Sequence, residues 1–377
     1  MNRDGEEWLE TDGLGGFASG PVVGPRRRRY HGLLVTATTP PTGRMMLVSG
    51  FDATVETPGG QYALSAQRYA SGVVTGESAR YLDSFVADPW PTWSFRLPDG
   101  TRIVHELFVR HGAPQVFLSW RLLAGSRAPS AAPDLAWARL RIRPFFAGRD
   151  FHALMHENSA LSFDPEIKDG HFRFRPYAGG PAIIVSASGH YQHQPFWYRD
   201  FLYDEERARG LDFTEDLASP GEWAFELGEG EAALVFAADS AGRDATVVPA
   251  RQSLEAARAS ERTRREAFSS RLERAADHYL VARRGGRTII AGYPWFGDWG
   301  RDTFIALRGL ALATGRVREA IDVLGAWAAL VSEGMLPNYF PDASGAPEYN
   351  AVDASLWYGV VVAETVAQAR DGAALDR

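Results

Sequence analysis

The sequence predicts a chain of two parts, an antiparallel β-sandwich over residues 1–250 followed by helices of the α/α type. Three observations carry this. Period-two alternation, broken by polar Gly/Pro turns, fills most of the chain up to about residue 248. From Ser253 onward the apolar period lengthens to that of a helix, and helix–loop–helix units then recur to the end. Many short strands with polar turns favour two antiparallel layers, each burying one face.

The elements follow in order. "TWSFRL", a "PDGT" turn and "RIVHELFVR" read as a hairpin, with Trp93, Phe95 and Leu97 alternating against Ser94 and Arg96. After "HGAP", the stretch "QVFLSWRLL" alternates through Val116, Leu118, Trp120 and Leu122, so it is the neighbouring strand of the same sheet. Further on, Ala138, Leu140 and Ile142 face one way and Arg139, Arg141 and Arg143 the other. Residues 251–266 read as a helical linker that is polar on most faces, inside a long helix from an N-cap at Ser253 to a stop at Gly285-Gly286. Phe268, Leu272, Ala275 and Tyr279 would be its apolar stripe. Three helices follow: one capped by Asp302 and running to about Thr314, one over Val317–Val331 with Ile321, Leu324, Ala328 and Val331 on one face, and one from after Asn350 to about Arg370. The last is apolar nearly all round from Ala354 to Ala363, which predicts burial on most sides.

Composition excludes several classes. The chain has 377 residues, 45% hydrophobic and 23% charged, and a net charge of −7, which argues against a nucleic-acid partner. The run Arg26–Arg29 sits in a Gly/Pro-bounded turn and reads as a local loop. Cys is absent, which removes disulfides, thiolate metal sites and a thiol nucleophile. The N-terminus lacks a signal-like segment, and the longest apolar run, Leu356–Ala363, is too short for a bilayer, so a cytoplasmic protein without a membrane partner is expected. No cofactor or metal is expected. "GLGGFA" (Gly13–Ala18) matches a dinucleotide fingerprint but lacks the strand before and the helix after it. "HENSA" at His156 lacks a second metal-binding histidine, and "DASGAPEYN" at Asp342 reads as an ordinary turn.

One stretch fits neither a core nor an ordinary loop. "AGYPWFGDWGRDTF" (Ala291–Phe304) crowds Tyr293, Trp295, Phe296 and Trp299 together with Asp298, Arg301 and Asp302, with glycines that let the chain turn tightly. Sugars offer C–H faces to rings and hydroxyls to charged groups, so rings beside carboxylates and a guanidinium suit a pyranose. A second loop of the same kind follows, with Asn338, Tyr339, Glu348, Tyr349, Asp353 and Trp357. Both lie at helix N-termini, so one rim can present them together. The plainer alternatives are that Asp302 and Asp353 serve their helix ends and that Trp357 and Tyr358 are core.

"GYPWFGDWGRDTFIALRGL" followed by "LPNYFPD…PEYNAVDASLWY" closely resembles the amylo-α-1,6-glucosidase domain of glycogen debranching enzymes. "EWLETDGLGGFASGPVVGPRRRRYHGLLV" and "PFWYRDFLYDEERARGLDFTEDLASPGEW" resemble the N-terminal domain of the bacterial and archaeal form. The resemblance implies an N-terminal β-sandwich and an (α/α)6 barrel, and hydrolysis of α-1,6-linked glucose at branch points of glycogen or limit dextrin. "WGRD" is similar to a loop of glucoamylase-type barrels that grips the non-reducing glucose. On that likeness Arg301 and Asp302 bind hydroxyls, Trp295 and Trp299 wall the pocket, and Asp298, Asn338, Glu348, Tyr349 and Asp353 complete it. Residues 267–377 hold far fewer helices than a closed (α/α)6 barrel, so an incomplete barrel is expected, with general acid and base beyond Arg377 and the chain alone inactive. The alternatives are a glucoamylase-like hydrolase of α-1,4-glucan and a non-catalytic α-glucan-binding module.

Overall fold

The structure, a computed structural model, describes residues 5–123, 137–239, 248–341 and 346–371. The turn expected at Asp342 therefore falls largely outside the described residues. Strands dominate up to Asp239 and helices follow. The helices are α1 (Ser78–Tyr81), α2 (Asp204–Ala208), α3 (Ala250–Glu266), α4 (Arg271–Asp277), α5 (Gly300–Leu307), α6 (Val317–Ala328) and α7 (Asp353–Asp371).

Two antiparallel sheets of eight strands each make the first part. One runs Glu7–Thr11, Phe17–Pro21, Gly32–Thr39, Thr42–Thr57, Arg139–Asp150, Thr214–Glu226, His190–Leu202, with Gly60–Ala63 beside Thr42–Thr57. The other runs Pro165–Lys168, His171–Phe174, Ala182–Ala187, Ala232–Asp239, Gln115–Leu122, Arg102–Val109, Thr92–Arg96, Leu82–Val86. Both supply one apolar cluster, with Leu34, Val48, Leu140, Ile142 and Trp223 from the first and Phe95, Leu107, Leu118, Trp120 and Phe236 from the second. Each fully buried aliphatic or aromatic side chain there stabilises the fold by roughly 1.5–3 kcal/mol. The expected hairpin pairs Thr92–Arg96 with Arg102–Val109, and Gln115–Leu122 lies on its other side. Arg139 and Arg141 turn outward to Glu226, Glu222 and Glu56.

The arginine run is a local loop. Arg27 pairs with Glu205 at 2.7 Å, Arg28 with Glu7 at 2.8 Å, and Arg29 donates to the His152 carbonyl at 2.6 Å. The glycine-rich "GLGGFA" is a hairpin connection between Glu7–Thr11 and Phe17–Pro21, so a strand does precede it, but a strand and not a helix follows.

The long helix expected from Ser253 is three things. Its first part, α3, lays Ala250, Leu254 and Ala257 against Trp90, Phe117 and Val235 on the outside of the second sheet. It breaks after Glu266, and Ser270 caps α4 by accepting from the Glu273 amide at 3.1 Å, while the Glu273 carboxylate accepts from the Ser269 amide at 2.7 Å. Then the chain extends. Leu280–Arg283 pairs with Gly286–Gly292, which pairs with Phe296–Asp298. Gly285, at φ +85°, makes the hairpin turn and not a helix stop. The supposed helical stripe fails accordingly, with Leu272 84% exposed.

This small sheet separates two cores. Val281 and Ile290 face Phe17, Val35 and Met46 of the first sheet. Leu280 and Ile289 face Phe304, Leu307, Val323, Trp327 and Val361 of α5, α6 and α7. The buried stripe of α6 is Val317, Ala320, Val323, Leu324 and Trp327, and Val331 is exposed, so the expected face was rotated. α7 buries Ala354, Val361 and Ala369 and leaves Leu356, Val360 and Val366 exposed, so burial on most sides does not hold in this chain.

Candidate functional site

The two loops singled out in the sequence meet at one place. Trp299 ends the extended run from Phe296 and is the N-cap of α5, so Asp302 sits inside the first turn and is not the cap. Gly300 has no room for a side chain, because a Cβ would lie 2.4 Å from the Pro337 carbonyl oxygen. That close approach allows the Gly300 amide to donate to the Asn338 carbonyl at 2.7 Å, and the Asn338 amide to donate to the Glu348 carbonyl at 2.6 Å. Three chain segments are thereby stitched edge to edge. Leu336 donates its amide to the Ser355 hydroxyl at 2.9 Å, which fixes the start of α7 to the same strip.

The side chains follow from this frame. The Trp299 ring stacks on Tyr339, centroids 4.6 Å apart and planes 16° off parallel. The Tyr339 hydroxyl donates to Glu348 at 2.6 Å, which pushes the phenol above its ordinary pKa. Glu348 also accepts from the Asn350 amide group at 3.1 Å. Arg301 reaches Asp353 at 3.1 Å, joining the first turns of α5 and α7. Asp302 is half-buried and has no ion pair among the described residues. Tyr349, at the margin, donates to the Leu330 carbonyl at 2.9 Å.

Two expected members stand apart. Asp298 is fully buried and ion-paired with Arg283, whose guanidinium lies 3.7 Å from the Phe340 ring centroid and 5.3 Å from that of Trp327. That carboxylate faces the protein interior. Trp295 leans toward the first sheet's side of the molecule, with the guanidinium carbons of Arg28 and Arg209 5.4 and 5.7 Å from its ring. Arg44, also from the first sheet, donates to the Phe296 carbonyl at 3.2 Å. The loop is thus anchored on one flank and open on the other. Sequence reasoning passed over Arg283, whose only signal was its place as the first of two arginines before a Gly-Gly turn. It named Tyr339 without foreseeing that it would be the stacking partner of Trp299.

The arrangement offers an aromatic pair, an exposed guanidinium and carboxylates at the ends of two helices, which is a donor and acceptor set for hydroxyls. Among the described residues no cluster of three or more His, Asp or Glu fit to hold a metal occurs, and no helix is long and apolar enough to cross a membrane.

Comparison with known proteins agrees with the motifs. The chain is similar to the glycogen debranching enzyme of Saccharomyces cerevisiae (strain ATCC 204508 / S288c), 40% identical over 90 residues, which are 22% of this chain and 6% of that protein. The chain therefore spans only a small part of that relative. A solved bacterial glucoamylase in complex with acarbose aligns with 97% of this chain and 58% of its own, at 13% identity and a TM-score of 0.48. The family model for amylo-alpha-1,6-glucosidase matches residues 274–377, and that for the N-terminal part of glycogen debranching enzyme matches residues 6–234. With well over half of its length matched, the chain belongs to the glycogen debranching enzyme family.

Proposed function

We propose that the protein acts on branched α-glucan as a glycoside hydrolase that removes α-1,6-linked glucose, and that the rim of α5 and α7 grips the glucose to be released. The observation that carries this is the meeting of Trp299, Tyr339, Arg301, Asp302 and Asp353 on one strip, with Arg301 half-exposed and Asp302 carrying no ion pair among the described residues. Family membership supports the substrate class. Within this reading residues 1–250 are a β-sandwich domain, 251–266 a connecting helix and 267–377 the first helices of an (α/α)6 barrel. Arg301 and Asp302 bind hydroxyls, and neither moves the reacting proton. Hydrolysis by inversion needs a protonated carboxyl and a second carboxylate about 6.5–9.5 Å apart across the scissile bond. No such pair is assigned among these residues, so this chain alone binds glucan and does not cleave it.

The test is retention on glycogen in a native gel together with glucose release from branched limit dextrin. Retardation that Arg301→Ala or Asp302→Ala weakens, without glucose release, is expected. Retardation indifferent to both variants overturns the site, and enzyme-like glucose release overturns the claim of inactivity. Tighter binding of linear maltooligosaccharides than of isomaltosyl compounds would move the reading to α-1,4-glucan.

A further inference from the structure

A cavity that shares no residue with that rim lies between the two large sheets. It measures about 130 Å³, and its lining includes Trp8, Trp93 and Phe95, the serines at 19 and 49, and His105. Engineered cavities of about 150 Å³ take up a benzene ring, so this space is on the scale of one six-membered ring.

Its chemistry narrows the occupant. His105 is held between Trp93 and Trp120, ring centroids 5.0 and 4.4 Å away and planes 19° and 10° off parallel. Its Nδ1 lies 3.0 Å from the Ser119 carbonyl oxygen, which can only accept, so Nδ1 carries the proton. Burial pushes the imidazole down to about 4, so the ring is neutral at physiological pH. Nε2 is therefore an acceptor, and among the described residues it has no partner. A ring nitrogen at the wall of such a cavity gains from a ligand group that donates to it.

A complementary donor lines the same cavity. The Ser49 hydroxyl accepts from the Arg26 guanidinium, which leaves its own proton to give. Arg26 also lines the space: its other terminal nitrogen donates to Gln67 at 3.3 Å and its guanidinium carbon lies 4.9 Å from the Phe201 ring, but it has no ion pair among the described residues. No carboxylate lines the space. A cationic ligand is thus poorly matched, an anion without a donor group would leave His105 Nε2 unsatisfied, and a purely apolar ligand would leave both His105 and Ser49 so. Hydroxyls that both donate and accept, on a ring with apolar C–H faces for aromatic walls, satisfy all of these groups.

We infer that the cavity between the two sheets is a binding site for one neutral pyranose ring, with a ligand hydroxyl donating to His105 Nε2 and the Ser49 hydroxyl donating to a ligand oxygen. This goes beyond the proposed function, because the site belongs to the sheet part and shares no residue with the strip around Trp299.

The experiment titrates D-glucose against the whole chain and follows tryptophan fluorescence, since Trp8 and Trp93 wall the cavity. Three variants accompany it. Val23→Trp fills the cavity from a half-buried position in its lining. His105→Phe keeps a ring in the stack and removes the acceptor. Arg301→Ala disables the other site. Saturable quenching is expected, unchanged within twofold in Arg301→Ala, at least tenfold weaker in His105→Phe and abolished in Val23→Trp. Thermal melting checks folding, and if His105→Phe fails to fold, Val23→Trp decides. Absence of saturable binding overturns the inference. So does binding that survives Val23→Trp and disappears in Arg301→Ala, which would place the sugar at the α5–α7 rim and leave that reading intact.

Discussion

Arg301 and Asp353 tie the first turns of α5 and α7 together, guanidinium nitrogen to carboxylate oxygen at 3.1 Å, with side chains 52% and 36% exposed. An ion pair this open to water contributes about 0.2–1 kcal/mol to stability. A charged donor to a sugar hydroxyl contributes about 1.5–3 kcal/mol to binding. The two magnitudes separate the roles. Arg301→Ala should leave the denaturant midpoint almost unchanged and weaken α-glucan binding about ten- to a hundredfold. A fall in stability of several kcal/mol with affinity intact would make Arg301 a brace between helices.

Asp298 should behave in the opposite way. It is fully buried against Arg283, and removing one partner of such a pair leaves a charge without compensation among Phe340 and Trp327. Asp298→Asn is expected to cost about 3–5 kcal/mol in urea unfolding, while the binding constant of the folded fraction stays the same. Lost affinity at unchanged stability would return Asp298 to the sugar contacts.

The break between α3 and α4 depends on a cap. Ser270→Ala removes the hydroxyl that accepts from the Glu273 amide and should cost roughly 0.5–2 kcal/mol. Native-state hydrogen exchange should locate the loss in residues 271–277. A uniform change across the chain would show that α4 is held by packing alone.

These elements also explain what the sequence disclosed and what it hid. The strands of the two sheets were legible because their inner faces alternate strictly, as Leu140 and Ile142 do against Arg139 and Arg141. The packed face of α3 was hidden because it is made of Ala250, Leu254 and Ala257 and then continues in Glu261 and Arg265. Those charges are buried because Arg265 meets Glu261, one turn back on the same helix, at 3.3 Å and Glu10, far away in the sequence, at 2.6 Å. The hairpin at Leu280–Gly292 was misread because Ala-rich residues before it extended the helical period, although "RTIIAG" is β-branched and a Gly-Gly pair precedes it. In the site, the motif located Trp299, Arg301 and Asp353, but the inward turn of Asp298 depended on Arg283, which no pattern announced. The exposed Leu356 and Val360 could not be foreseen from an apolar run that reads simply as buried.

A last prediction concerns the loop after the first strand. Asp12 is 2% exposed, and its Oδ1 accepts from the Leu14 and Gly16 amides at 2.7 and 2.9 Å. Burial outweighs those bonds and pushes its carboxyl from 3.8 up to about 7. Between these values the folded chain holds a proton that the unfolded chain has released. This contribution to stability is therefore complete below about pH 4 and lost as pH rises to about 7. His105 works the other way, since burial lowers it from 6.5 to about 4, and its contribution grows over nearly the same interval. The two slopes oppose each other in the native protein. Asp12→Asn keeps an oxygen for both amides and cannot titrate, so it should uncover the rising slope of the buried histidines. At pH 7.5 the variant should gain on the wild type, relative to their difference at pH 4, by up to about 4 kcal/mol, three pH units at roughly 1.4 kcal/mol each. Urea unfolding of both proteins across this range measures the difference directly. Parallel profiles would mean that Asp12 stays ionised in the folded chain, held by the Leu14 and Gly16 amides against the cost of burial.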